Sequence, residues 1–100
     1  MRPAKYNALV TGSTSGIGLA MARALPKHGA NVVLNGFGDA GEIEKTRTDI
    51  EAEFKVTGLF DAAYTSKPDD LVRMVTSAEQ RLGSVDVIVN NAGIQYVSLS

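Results

Sequence analysis

Four short apolar runs set the terms for this chain: "NALVT" at 7–11, "NVVLN" at 31–35, "KVTGLF" at 55–60 and "VDVIVN" at 85–90. They are nearly continuous in apolar residues rather than alternating, as parallel strands buried on both faces are. The stretches between them are long enough for helices and carry helical spacing. That alternation predicts βαβ units and a parallel sheet with helices on both faces.

The spacing also predicts which helix faces turn inward. In the first helix, "GIGLAMARALPKHG", the apolar face is Ile17, Met21, Ala24 and Leu25, with Pro26 shortening the last turn and Gly29 as C-terminal cap. The second opens on Asp39 with Glu42 three residues on, a capping-box pattern, and runs to about Phe54 with Ile43, Ile50 and Phe54 inward. Ser66 is placed to cap the third, with Pro68 in its first turn. Its inward face is Leu71, Val75, Ala78 and Leu82, and Gly83 ends it.

Ten basic and eleven acidic residues give a net charge of −1 and are interspersed, which argues against nucleic-acid and membrane-surface partners. With no cysteine, a disulfide framework and a thiolate zinc site are excluded, and no other metal-ligating constellation is present. There is no signal-peptide pattern and no apolar run of membrane-spanning length, so a cytoplasmic protein is expected.

"TGSTSGIG", residues 11–18, joins the first strand to the first helix. Gly12 permits a tight turn, Gly16 lets backbone approach a pyrophosphate, and Gly18 lets the helix pack closely on the strand. The helix N-terminus adds unpaired N–H groups and a partial positive charge. Ser13, Thr14 and Ser15 have hydroxyls to donate. The competing reading is a strand–helix turn that needs glycine for packing alone. The order strand, loop, helix favours dinucleotide binding.

The spacing T-G-x-x-x-G-x-G, together with "NNAG" after the fourth run, resembles the short-chain dehydrogenase/reductase family through all 100 residues. The resemblance implies the N-terminal half of a Rossmann-type, doubly wound parallel α/β sheet of strand order 3-2-1-4, a single cofactor-binding part spanning residues 1–100. It places Gly12, Gly16, Ile17 and Gly18 around a pyrophosphate. Asn90, Ala92 and Gly93 would line the ribose and nicotinamide side, Asn90 also steadying the sheet. "LNGFG" and "NNAGIQYV" are similar to the bacterial D-3-hydroxybutyrate dehydrogenases within that family. This implies NAD-dependent interconversion of 3-hydroxybutyrate and acetoacetate, with the Gln95 amide holding a small carboxylate substrate. An NADP-dependent 3-oxoacyl reductase of the same family and a non-catalytic dinucleotide-binding module are the alternatives.

The end of the second strand discriminates NAD from NADP. "LNGFGDAG" holds no arginine or lysine, and Arg47 falls well along the helix. Asp39 is the nearest carboxylate, equally readable as a helix cap, and Phe37 can occupy the space of a 2′-phosphate. NAD is therefore the expected cofactor.

The family's catalytic serine, tyrosine, lysine and relay asparagine lie beyond the fourth strand in family order. Tyr6, Tyr64 and Tyr96 have no lysine four positions on. Without those groups the chain alone is expected to be inactive. Its fourth strand would leave an open apolar edge, so it is expected to be the N-terminal part of a longer chain or a fragment that associates with its remainder, and the resemblance implies a tetramer for the full-length enzyme. Two positions depart from the pattern: Tyr96 stands where the hydroxybutyrate group has histidine, and Tyr64 where the family has an aspartate that accepts from the adenine amino group. Tyr64→Asp is expected to tighten NAD binding by about 1 kcal/mol, one restored hydrogen bond, read by titration of wild type and variant.

Overall fold

The computed structural model describes residues 6–63, 67–91 and 98–99. Ser66, the expected cap of the third helix, lies outside them. Four strands, β1 (Tyr6–Val10), β2 (Ala30–Asn35), β3 (Gly58–Asp61) and β4 (Val87–Asn90), alternate with helices α1 (Gly16–Lys27), α2 (Ala40–Phe54) and α3 (Pro68–Leu82). The first four strands are mutually parallel in the order β3-β2-β1-β4, as expected for a Rossmann-type sheet. A two-residue strand, β5 (Ser98–Leu99), adds antiparallel pairing to Val89 and Asn90. The outer edge of β4 is thus partly covered, where the sequence led us to expect it open.

Side chains of neighbouring strand residues go to opposite faces, and two cores result. Val10, Val32, Leu34 and Val89 pack on Ala22 of α1 and Ile50 of α2, with Met21, Leu25 and Phe54 at the margin. Leu9 and Val33 pack on Met74 and Ala78 of α3, flanked by Leu71, Val75 and Leu82. Leu9, Leu34, Ile50 and Met74 are each fully buried, a burial that stabilises by roughly 1.5–3 kcal/mol per side chain.

Helix α1 faces the sheet by a rotation of one residue from the expected stripe. Ile17 and Ala24 are exposed, and the buried positions are Gly18, Ala22 and Pro26. The glycine at 18 leaves no room for a β-carbon between the helix and the Gly12 carbonyl, so the helix turns that side inward. Pro26 shortens the last turn as expected. The helix stops at Lys27, and the N–H groups of His28 and Gly29 bond the carbonyls of Leu25 and Pro26, three residues back. In α3 the buried pair is Met74 and Ala78, so the face is centred between the expected Leu71 and Val75.

The third strand begins three residues later than the apolar run suggested. Lys55 ends α2 in the left-handed conformation, at φ 57° and ψ 45°, and pairing starts at Gly58. Both backbone groups of Gly58 are taken by side chains of α2: Arg47 donates to its carbonyl at 2.8 Å and Glu51 accepts from its N–H at 3.0 Å. Arg47 also pairs with Glu44 and Glu51. The guanidinium holds the Glu44 carboxyl below its ordinary value, mainly through their hydrogen bond. With a depressed folded-state value, that contribution is present above the ordinary carboxylate range and is lost as the pH falls through the folded-state value.

At the N-terminal ends of the strands, Asn7 ties three segments together. Its side chain donates to the Ser84 hydroxyl and accepts from Asn31, whose own oxygen accepts from the Thr57 N–H. Asp86 accepts from the Asn7 N–H. Lys55→Gly is expected to stabilise the protein by about 0.5–1 kcal/mol, since glycine adopts the left-handed cap without the steric cost a β-carbon brings. Denaturant unfolding of the two proteins measures it.

Candidate functional site

The site is built at the C-terminal ends of the strands, around the loop from β1 to α1. Gly12 and Gly16 both sit at φ +60°, a region that L side chains enter only with strain. A β-carbon on Gly16 would meet no protein atom within 4 Å, so its backbone angle is what requires glycine there. Gly18 is different. A β-carbon there would collide with the carbonyl of Gly12 and come within 2.7 Å of Asn91 Nδ2. The close packing of Gly18 is therefore against this loop and Asn91 just past the end of β4, where packing on the strand was expected.

The three hydroxyls of the loop do not act alike. Ser13 is buried, donates to the Val10 carbonyl at 2.7 Å and accepts from the Asn35 N–H at 2.9 Å. It is a brace within the sheet, and not the donor at the loop surface that the sequence suggested. Thr14 Oγ1 donates to the Phe37 carbonyl at 2.7 Å, which pins the segment after β2 onto the glycine loop. Gly36 lies under this bond: a β-carbon there would be 2.7 Å from Thr14 Oγ1. Ser15 stands exposed at the N-cap of α1 with no side-chain cap bond, at the positive end of the helix.

Two exposed apolar side chains flank the loop, Ile17 in the first turn of α1 and Phe37 after β2, at 74% and 67% exposure. Asp39 caps α2, accepting from the Glu42 N–H at 2.9 Å. With Thr14, Leu34, Phe37 and Ile43 it borders a cleft of about 350 Å³. Lys45 also borders this cleft, with its ammonium paired to Asp49 at 2.9 Å. Arg47 is engaged by Glu44, Glu51 and Gly58 instead.

The end of β4 is stitched to the same loop. Thr11 Oγ1 donates to Asn90 Oδ1 at 3.1 Å and accepts from the Asn91 N–H at 2.7 Å. Asn91 Nδ2 reaches the Gly12 carbonyl at 3.4 Å. Ala92, Gly93, Gln95 and Tyr96 lie outside the described residues, as does Tyr64.

Two amides were not among the residues singled out from the sequence. Asn91 closes the glycine loop from the β4 side. Asn35, 2% exposed, closes it from the β2 side. Its Oδ1 accepts from the Gly12 N–H at 3.4 Å, and its Nδ2 donates to the carbonyls of Asp61 and Ala63 at 2.9 and 3.0 Å. The signal available in the sequence was an amide at the end of one apolar strand run, Asn35, and one just past the end of another, Asn91. Chemically, the arrangement offers a helix N-terminus, a left-handed glycine turn and an exposed apolar rim, suited to an anionic group with flat rings on either side.

The family described as short chain dehydrogenase matches residues 6–99. D-beta-hydroxybutyrate dehydrogenase of Rhizobium meliloti (strain 1021) is 47% identical over 90 residues, covering 90% of this chain and 35% of that protein. The enzyme of the same description from Cupriavidus necator is 44% identical over 91 residues, covering 91% of this chain and 34% of its own length. Among solved structures, L-sorbose reductase from Gluconobacter frateurii, complexed with NADPH and L-sorbose, superposes with a TM-score of 0.80 at 33% identity, over 91% of this chain and 34% of that one. The chain thus spans about a third of the length of the relatives it matches. Among the described residues, no helix is long and apolar enough to cross a membrane.

Gly18→Ala is expected to destabilise the protein by about 1–3 kcal/mol, because the obstructing atom is a backbone carbonyl with no freedom to turn away. Thermal melting of variant and wild type measures it.

Proposed function

Because the chain belongs to the short-chain dehydrogenase family, we propose that it supplies the cofactor-binding part of an oxidoreductase that uses NAD to interconvert 3-hydroxybutyrate and acetoacetate. The observation that carries the reading is the turn from β1 into α1. Its left-handed Gly12 and Gly16 lead into a helix whose third residue is glycine for contact with the loop itself. That geometry presents backbone N–H groups and the positive helix end to a pyrophosphate.

In this reading Gly12, Thr14, Ser15, Gly16, Ile17 and Gly18 surround the pyrophosphate, with Thr14 acting through the position it imposes on Phe37. Phe37 covers the adenosine side. Asn90, Ala92 and Gly93 line the ribose and nicotinamide side, and Gln95 holds the substrate carboxylate. The cofactor supplies the hydride-accepting ring when bound, and this chain's residues hold and orient it. The proton-transfer groups come from elsewhere in the full protein, since no Tyr-x-x-x-Lys occurs in the 100 residues.

The choice of NAD rests on the β2 end. Its neighbouring carboxylate is Asp39, no arginine or lysine lies between Asn35 and Glu44, and Arg47 is held by Glu44, Glu51 and the Gly58 carbonyl. The hydroxybutyrate substrate is supported by the identity to the two hydroxybutyrate dehydrogenases. A cytoplasmic homotetramer is the assembly that goes with this reading.

The full-length protein is expected to bind NADH more tightly than NADPH in calorimetric titration, and to reduce acetoacetate with NADH in preference to 3-oxoacyl thioesters with NADPH. Tighter NADPH binding overturns the cofactor assignment. Turnover of the thioesters alone moves the enzyme to the 3-oxoacyl reductases.

A further inference from the structure

Asn35 is almost wholly buried, yet its amide joins the glycine loop and the end of β3 to its own strand at the rim of the site. Its oxygen holds the Gly12 N–H of the glycine loop, and its nitrogen holds the carbonyls of Asp61 and Ala63 at the end of β3. Its own backbone is locked to Ser13, through Ser13 N–H to the Asn35 carbonyl at 2.6 Å and Asn35 N–H to Ser13 Oγ at 2.9 Å. Every hydrogen-bonding atom of the side chain thus faces inward, at 2% exposure.

The strand order gives this junction a direction. The pyrophosphate lies at the N-terminus of α1, and the switch point of the sheet lies between β1 and β4. A dinucleotide across the strand ends therefore puts its adenosine half over β2 and β3 and its nicotinamide half toward β4. Asn35 braces the first half and has no contact with the second. Asn91 and Thr11 brace the other side through separate bonds.

We propose that Asn35 is a positioning residue for the adenosine half of the cofactor, setting the spacing between the glycine loop and the end of β3 before any ligand arrives. The inference rests on the dinucleotide reading above. Its two functions are separable by chemistry. Asn35→Asp keeps an oxygen acceptor for the Gly12 N–H and loses the donors to Asp61 and Ala63. Asn35→Ala loses both.

The test uses the full chain and three probes: NADH, AMP for the adenosine half and nicotinamide mononucleotide for the other half. Folding of each variant is checked by circular dichroism and melting temperature. Asn35→Asp is expected to weaken AMP and NADH by the same factor, about tenfold for the lost bonds, and to leave nicotinamide mononucleotide unchanged. Asn35→Ala, which also releases Gly12, is expected to weaken AMP and NADH at least as much. A folded Asn35→Asp protein that binds AMP like wild type overturns the inference, and so does equal weakening of the two half-molecules. Failure of both variants to fold assigns Asn35 to the stability of the sheet and overturns it too. Wild type that binds neither NADH nor NADPH refutes the dinucleotide reading itself, a result visible before any variant is made.

Discussion

The contact between Gly18 and the carbonyl of Gly12 governs the rest of the site. It fixes how far α1 can descend onto the strand ends, and so where the helix N-terminus points. From it follow the inward rotation of Ala22 and Pro26, the exposure of Ile17, and the reach of Asn91 to the Gly12 carbonyl. Glycine is required at 18 for space and at 16 for backbone angle. The two requirements are physically independent although the residues are two apart.

Around this contact, side-chain amides do the joining. Parallel strands leave their ends to be tied by crossover segments, whose backbone groups find no ladder partner. Asn35 and Asn91 satisfy such groups at the C-terminal ends of the strands, and Asn7 and Asn31 do so at the N-terminal ends. An amide suits the task because it offers a donor and an acceptor without carrying a charge into the interior. Among the described residues no buried side-chain nitrogen or oxygen lacks a partner, as a rigid, pre-formed site requires.

The division of labour among Ser13, Thr14 and Ser15 shows where reading by composition runs out. Three adjacent hydroxyls after a strand look equivalent. In the fold one braces β2, one clamps the segment carrying Phe37, and one stands at the helix end. Their directions depend on β2 lying beside β1, a contact between residues over twenty positions apart. The start of β3 differs from the start of its apolar run for a related reason. The run "KVTGLF" is apolar throughout, but Lys55 caps α2 in the left-handed conformation, and pairing waits for Gly58, where Arg47 and Glu51 can reach the backbone. The spacing in α3 located its helix and inward side correctly but passed over Met74, the most buried residue of that face.

By itself the sequence determined the strand–helix alternation, the parallel sheet and its family, because apolar runs and glycine spacing are local properties of the chain. The capping of α2 by Asp39 was legible for the same reason, its partner being three residues away. Only the tertiary structure decided the face α1 presents, the roles of Asn35 and Asn91, and the partial covering of β4 by β5. Each depends on groups far apart in sequence that meet only once the sheet has formed, and the energy of a hydrogen bond or a steric contact is set by that meeting.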